Sequence, residues 1–280
     1  MKVTLWGTRG SLPTPGPETV RYGGNTSCVE VRDSDGAVLV LDAGTGIRRL
    51  GAHLAGSVRR VDLLLTHLHM DHIQGLGFFA PLFDPRVVVH LWGPASTTQT
   101  LGDRLARYLS PPLFPVHLRD LPCTLKIHEV PRDEIEIGSF RVVAQVVCHP
   151  NSTVGYRITQ GNAVLAYLPD HEPALGLRAG FLSGDWTSGY GLAAGADLLI
   201  HDAQYTEREY AERIGWGHSS MQDAFAFAAL AGVKHIVPFH HDPGHSDGDL
   251  DRMITSTDSL TTQPFAVTVG AEGNMFDLGT

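Results

Sequence analysis

The stretch THLHMDH, residues 66–72, places three histidines and one aspartate within seven positions, directly behind an apolar run. Imidazole nitrogens suit zinc, copper and iron, and carboxylate oxygens suit harder ions such as manganese. His67 and His69 fall on one side of an extended turn, whereas Asp71 and His72 begin a segment that fits the first turn of a helix. The spacing therefore predicts that two of these side chains bind one metal ion and two bind a second.

Metal-capable side chains also follow four other apolar runs that have the length and composition of strands. They are Asp42 after Val38–Leu41, His149 after Val142–Cys148, Asp170 after Val164–Leu168, and His240 after Ile236–Phe239. A single histidine after a strand is more often a packing residue, so the prediction rests on the whole set. Loops at strand ends carry binding and catalytic residues on a rigid scaffold, and we expect these side chains to meet at one site.

The elements that must position this site are mostly strands. One helix is indicated over Ser219–Ala231, where Ser220 and Asp223 form a capping-box pattern and Gly232 is a typical stop. The predicted strands are Val3–Leu5, Ser27–Val31, Ala37–Leu41, Val61–Leu65, Val87–Trp92, Leu125–Glu129, Phe140–Val147, Thr153–Ile158, Ala163–Leu168, Asp197–Ile200, His235–Pro238 and Phe265–Val269. The Pro-rich segments Leu12–Pro17 and Pro111–Pro115 are expected to be loops beside the site.

Composition limits the class of protein. The 280 residues are 42% hydrophobic and 18% charged, which is typical of a folded globular chain with a sizeable core. Three cysteines without CxxC spacing indicate neither a disulfide framework nor a thiolate zinc site. A net charge of -9 disfavours capture of extended nucleic acids. The chain shows neither a signal-peptide pattern nor an apolar run of about 20 residues, so we expect a cytoplasmic protein without a membrane partner.

The THLHMDH stretch resembles the signature of the metallo-β-lactamase superfamily, and the other four residues fall in the order of that superfamily's motifs. The resemblance implies one αββα sandwich over residues 1–280, with two divalent metal ions at one edge. Zinc is favoured, with manganese or iron as alternatives. The implied roles are His67, His69 and His149 on one ion, Asp71, His72 and His240 on the other, Asp170 bridging both, and Asp42 orienting a ligand histidine.

Two segments resemble one branch of that superfamily. The segment Trp216–Ser220, with His218 at its centre, resembles the HST motif of the ribonuclease Z and phosphodiesterase branch. The opening GTRGSLPTPGPETVRYGGNTSC resembles proteins related to phosphoribosyl cyclic phosphodiesterase. The 21 positions between His149 and Asp170 leave no room for the long tRNA-gripping arm of ribonuclease Z. The expected substrate is therefore a small phosphodiester, cyclic ones included, and not an extended nucleic acid.

The resemblance implies attack by a metal-activated hydroxide that Asp71 orients, while His218 stabilises the phosphoryl charge or protonates the leaving oxygen. Several alternatives stay open at this point. The same set of seven ligand residues, called the cage below, suits an acyl hydrolase acting on a lactone, thioester or β-lactam, or a ribonuclease Z-like endonuclease. It also suits a closed site that only stabilises the fold. Asp185 is an alternative bridging ligand, and His241 and His245 are candidates for the pocket or for contacts behind the ligands. By analogy with related phosphodiesterases, a homodimer is expected.

Overall fold

Fourteen strands form two seven-stranded sheets in the computed structural model, which describes residues 1–130, 134–173, 184–256 and 264–279. In spatial order, the first sheet contains β14 (Met275–Asp277), β1 (Lys2–Gly7), β2 (Cys28–Arg32), β3 (Val38–Leu41), β4 (Arg60–Leu64), β5 (Val88–Pro94) and β6 (Thr124–Val130). The second contains β13 (Ala266–Val267), β12 (His235–Phe239), β11 (Leu198–Asp202), β10 (Ala163–Leu168), β9 (Val154–Gln160), β8 (Phe140–Val146) and β7 (Ile135–Ile137).

Helices cover the outer faces of the two sheets. They are α1 (Ile47–Leu54), α2 (Met70–Ile73), α3 (Leu101–Ala106), α4 (Tyr190–Ala193), α5 (Glu207–Glu212), α6 (Met221–Ala231) and α7 (Asp247–Ser256). Side chains alternate along each central strand: Leu39 and Leu41 of β3 pack between the sheets with Leu165 of β10, whereas Val40 packs outward with α1. Ala166 of β10 likewise packs outward with α6. The predicted αββα sandwich is confirmed.

Each of the twelve predicted strands has a counterpart, while β7 and β14 were not predicted. The helix predicted from Ser219 begins at Met221, because Ser220 is its N-cap and accepts the backbone N–H of Asp223 at 3.0 Å. Gly232 ends this helix in the left-handed conformation, with φ of 62°. The expectation of a single domain over residues 1–280 stays a prediction.

Parallel strands position the polar side chains of the site. β3 and β4 run parallel in the first sheet, and β10, β11 and β12 run parallel in the second. Their carboxyl ends meet across the sandwich, where His72 Nε2 lies 2.9 Å from Asp170 Oδ1. This edge is where the predicted ligands collect. Within the described ranges, no helix is long and apolar enough to cross a bilayer.

Candidate metal centre and active site

The seven predicted ligands come together as two neighbouring groups. In each group, one potential ligand atom from every residue lies within 4.8 Å of the others. One group is His67, His69 and His149, and the other is Asp71, His72, Asp170 and His240. Asp170 faces both groups, because its Oδ1 lies 3.3 Å from His240 Nε2 while its Oδ2 lies 3.7 Å from both His67 Nε2 and His149 Nε2. This is the position expected of a bridging carboxylate.

The THLHMDH stretch divides its side chains as its spacing predicts. His67 and His69 lie in the segment between β4 and α2, and His69 is the extended N-cap of α2. Asp71 and His72 lie within this four-residue helix and face the second group. The other ligands come from the second sheet, so each group combines residues of both sheets.

The arrangement of polar atoms fits divalent cations. His67 Nε2 and Asp170 Oδ1 are buried without a hydrogen-bond partner. Asp170 Oδ1 is only 2.9 Å from His72 Nε2. The Nδ1 of His72 pairs with Asp42, so a neutral His72 carries its proton on Nδ1 and turns the lone pair of Nε2 toward the Asp170 carboxylate. Two facing acceptors at this distance require a proton or a metal ion between them. Burial lowers the pKa of His72, yet the carboxylates of Asp170, Asp71 and Asp42 outweigh burial and raise this pKa well above its ordinary value. A histidine must be neutral to bind a metal ion, so metal binding at this position displaces any proton that the carboxylates hold on His72.

The spacing of the ligand atoms gives a second test of fit. Zn–N bonds of about 2.0–2.1 Å in a tetrahedron place neighbouring ligand atoms about 3.3–3.4 Å apart. His69 Nδ1 and His149 Nε2 are 3.3 Å apart, and His72 Nε2 and His240 Nε2 are 3.4 Å apart. Asp71 Oδ2 lies 3.0 Å from His240 Nε2. The donor set and its spacing fit divalent metals, and ligation by these particular residues stays a prediction.

Hydrogen bonds behind the ligands fix the orientation of four imidazole rings. The Nδ1 atoms of His67, His72, His149 and His240 pair respectively with Thr66 Oγ1, Asp42 Oδ2, the carbonyl of Gly217 and Gln204 Oε1, at distances between 2.8 and 3.1 Å. Each pairing leaves Nε2 directed at the cage, as is usual for metal-binding histidines. The Asp42 carboxylate also accepts hydrogen bonds from Thr66 N and Tyr167 Oη. The structure thus places Asp42 where the sequence predicted it, behind His72.

His218 stands beside the cage in contact with both groups. Its ring stacks on that of His240 with a centroid distance of 5.0 Å, and it meets His149 edge-on at 5.0 Å. Its Nδ1 pairs with Asp202 Oδ2 at 2.7 Å. Burial lowers the pKa of His218, but Asp202 outweighs this effect and raises the pKa to about 9 in the metal-free protein. The pair therefore presents a proton donor at the edge of the cage.

Asp202 was not predicted as a site residue. It ends β11 and is fully buried, and its Oδ1 accepts the backbone N–H groups of Gln204 and Ser219 at 3.0 and 3.1 Å. These bonds hold the carboxylate in place for His218. The signal was present in the sequence, because Asp202 follows an apolar run in the same way as Asp42 and Asp170.

Two of the predicted pocket residues point away from the cage. His241 Nε2 bonds to the carbonyl of Gly270 at 2.7 Å, and its buried ring meets Tyr22 edge-on. His245 Nε2 pairs with Glu209 at 3.0 Å. Neither histidine lies in either ligand group. A role for His241 and His245 in the pocket or behind the ligands stays a prediction.

Two further expectations have different outcomes. The side chain of Asp185, the alternative bridging ligand, lies outside the described part of the structure. The loop at Pro111–Pro115 does border the site, since Leu113 lines the cavity beside the cage. Phe114 of this loop is only 8% exposed and belongs to the core beneath the first sheet, with its ring edge-on to the exposed ring of Phe78, so it is not available to stack on a substrate.

A cavity of about 870 Å³ opens directly onto the cage. His67 and His69 form part of its wall, together with residues of α2, of the segment after α3, and of the loop that carries Asn151. This volume is within the range of about 300–1,000 Å³ that is typical of small-molecule sites. The cavity is the natural place for a substrate whose reacting group meets the metals.

We expect the purified protein to bind about two divalent ions per chain, because each of the two ligand groups supplies the three or more donors that one ion needs. Elemental analysis after reconstitution and desalting measures this ratio. A chelator-treated sample provides the baseline. A saturating ratio of one ion or fewer would contradict the two-ion centre.

Comparison with known proteins agrees with this geometry. The family described as "Beta-lactamase superfamily domain" matches residues 38–241. Ribonuclease Z of Mycobacterium sp. (strain KMS) is 30% identical over 270 residues, covering 89% of this chain and 86% of that relative.

Two solved structures have the same fold over almost the whole chain. The metallo-beta-lactamase fold protein YhfI from Bacillus subtilis has a TM-score of 0.71 at 18% identity, covering 99% of both chains. A diphosphatase from the PhnP family has a TM-score of 0.69 at 18% identity, covering 99% of this chain and 98% of the other. The family match spans most of the chain and includes Asp42 and His240, so the chain belongs to the metallo-β-lactamase superfamily of metal-dependent hydrolases.

Proposed function

We propose that the chain hydrolyses small phosphodiesters at a centre of two divalent metal ions, with zinc as the favoured metal. The observation that carries this proposal is the His218–Asp202 pair beside the ligand groups. His218 is 12% exposed, and its Nε2 has no hydrogen-bond partner among the described residues. Because Asp202 pairs with Nδ1, the Nε2 of His218 is left to face a ligand, and a phosphoryl oxygen or an alkoxide leaving group is the partner that a donor at this position suits.

The roles of the residues follow from their positions. A pair of divalent cations, when bound, activates water and neutralises phosphoryl charge. His67, His69 and His149 would hold one ion and Asp71, His72 and His240 the other, with Asp170 between them. Asp71 Oδ2 is itself fixed by the backbone N–H of Ser11 at 2.7 Å, so this carboxylate is a rigid acceptor for a proton of the attacking water. A new P–O bond forms from that water, the bond to the leaving oxygen breaks, and His218 supplies the proton to this oxygen.

This arrangement favours a phosphodiester over an acyl substrate. A diester carries one negative charge and has a leaving oxygen of high basicity, so it uses both the cations and the proton of His218. A thioester also uses the cations, but its thiolate leaving group needs little protonation, so it gains less from the His218–Asp202 pair. The curated relative named ribonuclease Z and the diphosphatase structure support phosphoryl chemistry on this fold.

We expect the metal-loaded protein to cleave bis(4-nitrophenyl) phosphate with a higher kcat/KM than 4-nitrophenyl phosphate, nitrocefin, a thioester or a lactone. The reason is that the diester presents a singly charged phosphoryl group to the two cations, whereas the reacting group of the acyl substrates is uncharged and that of the monoester carries up to two charges. The kcat/KM values are compared by the release of product from each substrate, with chelator-treated protein as the control. A thioester or lactone turned over about tenfold faster than the diester would replace this proposal with an acyl hydrolase.

A ribonuclease Z-like endonuclease is the second candidate, favoured by the 30% identity that extends over 89% of the chain. The net charge of -9 favours a small substrate instead. A precursor tRNA with a 3′ extension separates the two candidates. Cleavage of this RNA with a kcat/KM above that of small cyclic phosphodiesters would establish the endonuclease.

A further inference from the structure

We infer that Glu172 is a positioning residue, whose buried carboxylate holds the loop between α5 and α6 so that His218, near the end of this loop, stays in place beside the cage. The inference rests on the proposed function, because it takes His218 as the proton donor to the leaving oxygen. It adds to that function a residue that lies outside both ligand groups and acts through the backbone of the loop. Glu172 follows the bridging Asp170 by two positions.

The hydrogen bonds of the Glu172 carboxylate are the first observation. Glu172 is fully buried. Its Oε1 accepts the backbone N–H of Gly215 at 2.8 Å and the hydroxyl of Tyr210 at 3.0 Å, and its Oε2 accepts the backbone N–H of Gly217 at 2.7 Å. A buried carboxylate that loses such donors costs free energy, so the carboxylate and the loop backbone are held together.

The composition of the loop is the second observation. Gly215 and Gly217 have φ angles of 88° and 90°, a region in which glycine is free to move and other residues are rare. The side chains of Ile214 and Trp216 are 53% and 60% exposed, so the loop buries little apolar surface. The two backbone bonds to Glu172 therefore fix the path of the chain directly before His218.

The contact between the loop and the metal centre is the third observation. The carbonyl of Gly217 accepts the Nδ1–H of His149, a predicted ligand, at 2.8 Å. A Cβ at position 217 would lie 2.4 Å from the same nitrogen, so the backbone of the loop lies directly against this ring. The next residue along the chain is His218. A shift of the loop therefore moves His218 relative to the cage.

The residue before Glu172 supports the same arrangement. The backbone N–H of His171 donates to Asp202 Oδ2 at 3.3 Å, and this oxygen pairs with His218. The carbonyl of His171 accepts the hydroxyl of Ser219 at 2.6 Å. Residues 171 and 172 thus bind the chain on both sides of His218. Such support matters because a misplacement of about 1 Å in a reacting group can cost about 100-fold in rate.

Glu172→Gln tests the inference, because the amide keeps the shape of the side chain but places an NH₂ group against a backbone N–H of the loop. With saturating zinc, we expect kcat on uridine 2′,3′-cyclic phosphate, which has an alkoxide leaving group, to fall by about 10- to 100-fold with little change in KM. The defect should be smaller on bis(4-nitrophenyl) phosphate, whose leaving group needs little protonation. Glu30→Gln, a matched control at a 4% exposed glutamate of β2, should preserve both rates.

A double-mutant cycle measures whether Glu172 acts through His218. In the His218→Ala background, Glu172→Gln should lower kcat by no more than about twofold, because the donor that the loop positions is already absent. Losses that multiply, or a native kcat in the single variant, overturn the inference. Should Glu172→Gln fail to fold, Glu172→Asp takes its place in the cycle, since it keeps the charge but withdraws the carboxylate by one methylene group.

Hydrogen–deuterium exchange of the metal-loaded protein separates failure of this inference from failure of the proposed function. We expect the amides of residues 213–218 to exchange at least about tenfold faster in Glu172→Gln than in the wild type, and at the wild-type rate in Glu30→Gln. Faster exchange in a protein that cleaves no phosphodiester keeps the positioning of the loop and rejects the phosphodiesterase. Equal exchange in all three proteins overturns the positioning by Glu172.

Discussion

Replacing Asp170 by asparagine is expected to remove both metal ions and to lower phosphodiesterase activity by more than about 10³-fold, beyond the loss of a single charge-stabilising donor. Asp170 is 2% exposed, and its two oxygens face different ligand groups. The amide keeps the shape of the side chain but loses the negative charge that both groups share. Metal content by elemental analysis and kcat/KM on bis(4-nitrophenyl) phosphate measure the effect. Circular dichroism establishes that the variant is folded.

Asp185→Asn is the matched control for this substitution, because Asp185 is the alternative bridging ligand in the sequence. We expect this variant to keep about two ions and near-native activity, because the seven described ligand residues already supply three or more donors to each ion without Asp185. The opposite pattern, with metals retained in Asp170→Asn and lost in Asp185→Asn, would transfer the bridging role to Asp185.

His218→Ala is expected to keep both metal ions while lowering kcat by about 10²- to 10⁴-fold, the range for a positioned acid or charge-stabilising donor. His218 contacts ligand rings, yet each ligand retains its own hydrogen bond behind the cage. Elemental analysis measures the metal content, and steady-state kinetics measure kcat on one diester with a nitrophenolate leaving group and one with an alkoxide leaving group. A nitrophenolate leaving group needs little protonation, so general-acid catalysis gives a smaller defect there than with an alkoxide leaving group.

Asp202→Asn provides a graded control for the same role. This substitution removes the charge that raises the pKa of His218 but keeps a side chain able to hold its Nδ1. We expect activity between those of the wild type and His218→Ala, with metal content unchanged. Near-native rates of both variants on every diester would exclude the His218–Asp202 pair from the chemistry.

The sequence predicted those parts of the fold that local patterns determine. Apolar runs of four to seven residues between turns located the central strands, and Ser220 and Gly232 located the ends of α6. β7 and β14 were missed because each has only three residues, one of them charged, and neither belongs to a longer apolar run as β13 does. They become strands through tertiary pairing, β7 with its hairpin partner β8 and β14 with β1.

The candidate site was likewise predictable only where local sequence patterns determine it. The ligand groups were predictable because THLHMDH is local and the other ligands each follow a strand. The hydrogen bonds behind them were not, since the bond between His240 and Gln204 joins residues 36 positions apart, and the one between His149 and Gly217 joins residues 68 positions apart. The bond of His241 to the carbonyl of Gly270 was likewise not predictable, because a position in a histidine-rich segment gives no information about the direction of a side chain.

Two metal ions bound by these groups would connect the two halves of the sandwich, since each ligand group draws residues from both sheets. Any ligand that binds only the folded state stabilises it by mass action, by about 2.7 kcal/mol when its free concentration is 100 times its Kd. With the proposed two-metal centre, the apparent folding stability of this chain would therefore depend on the free metal concentration around it. Starvation for the ion would then lower both the amount of folded protein and the rate per molecule.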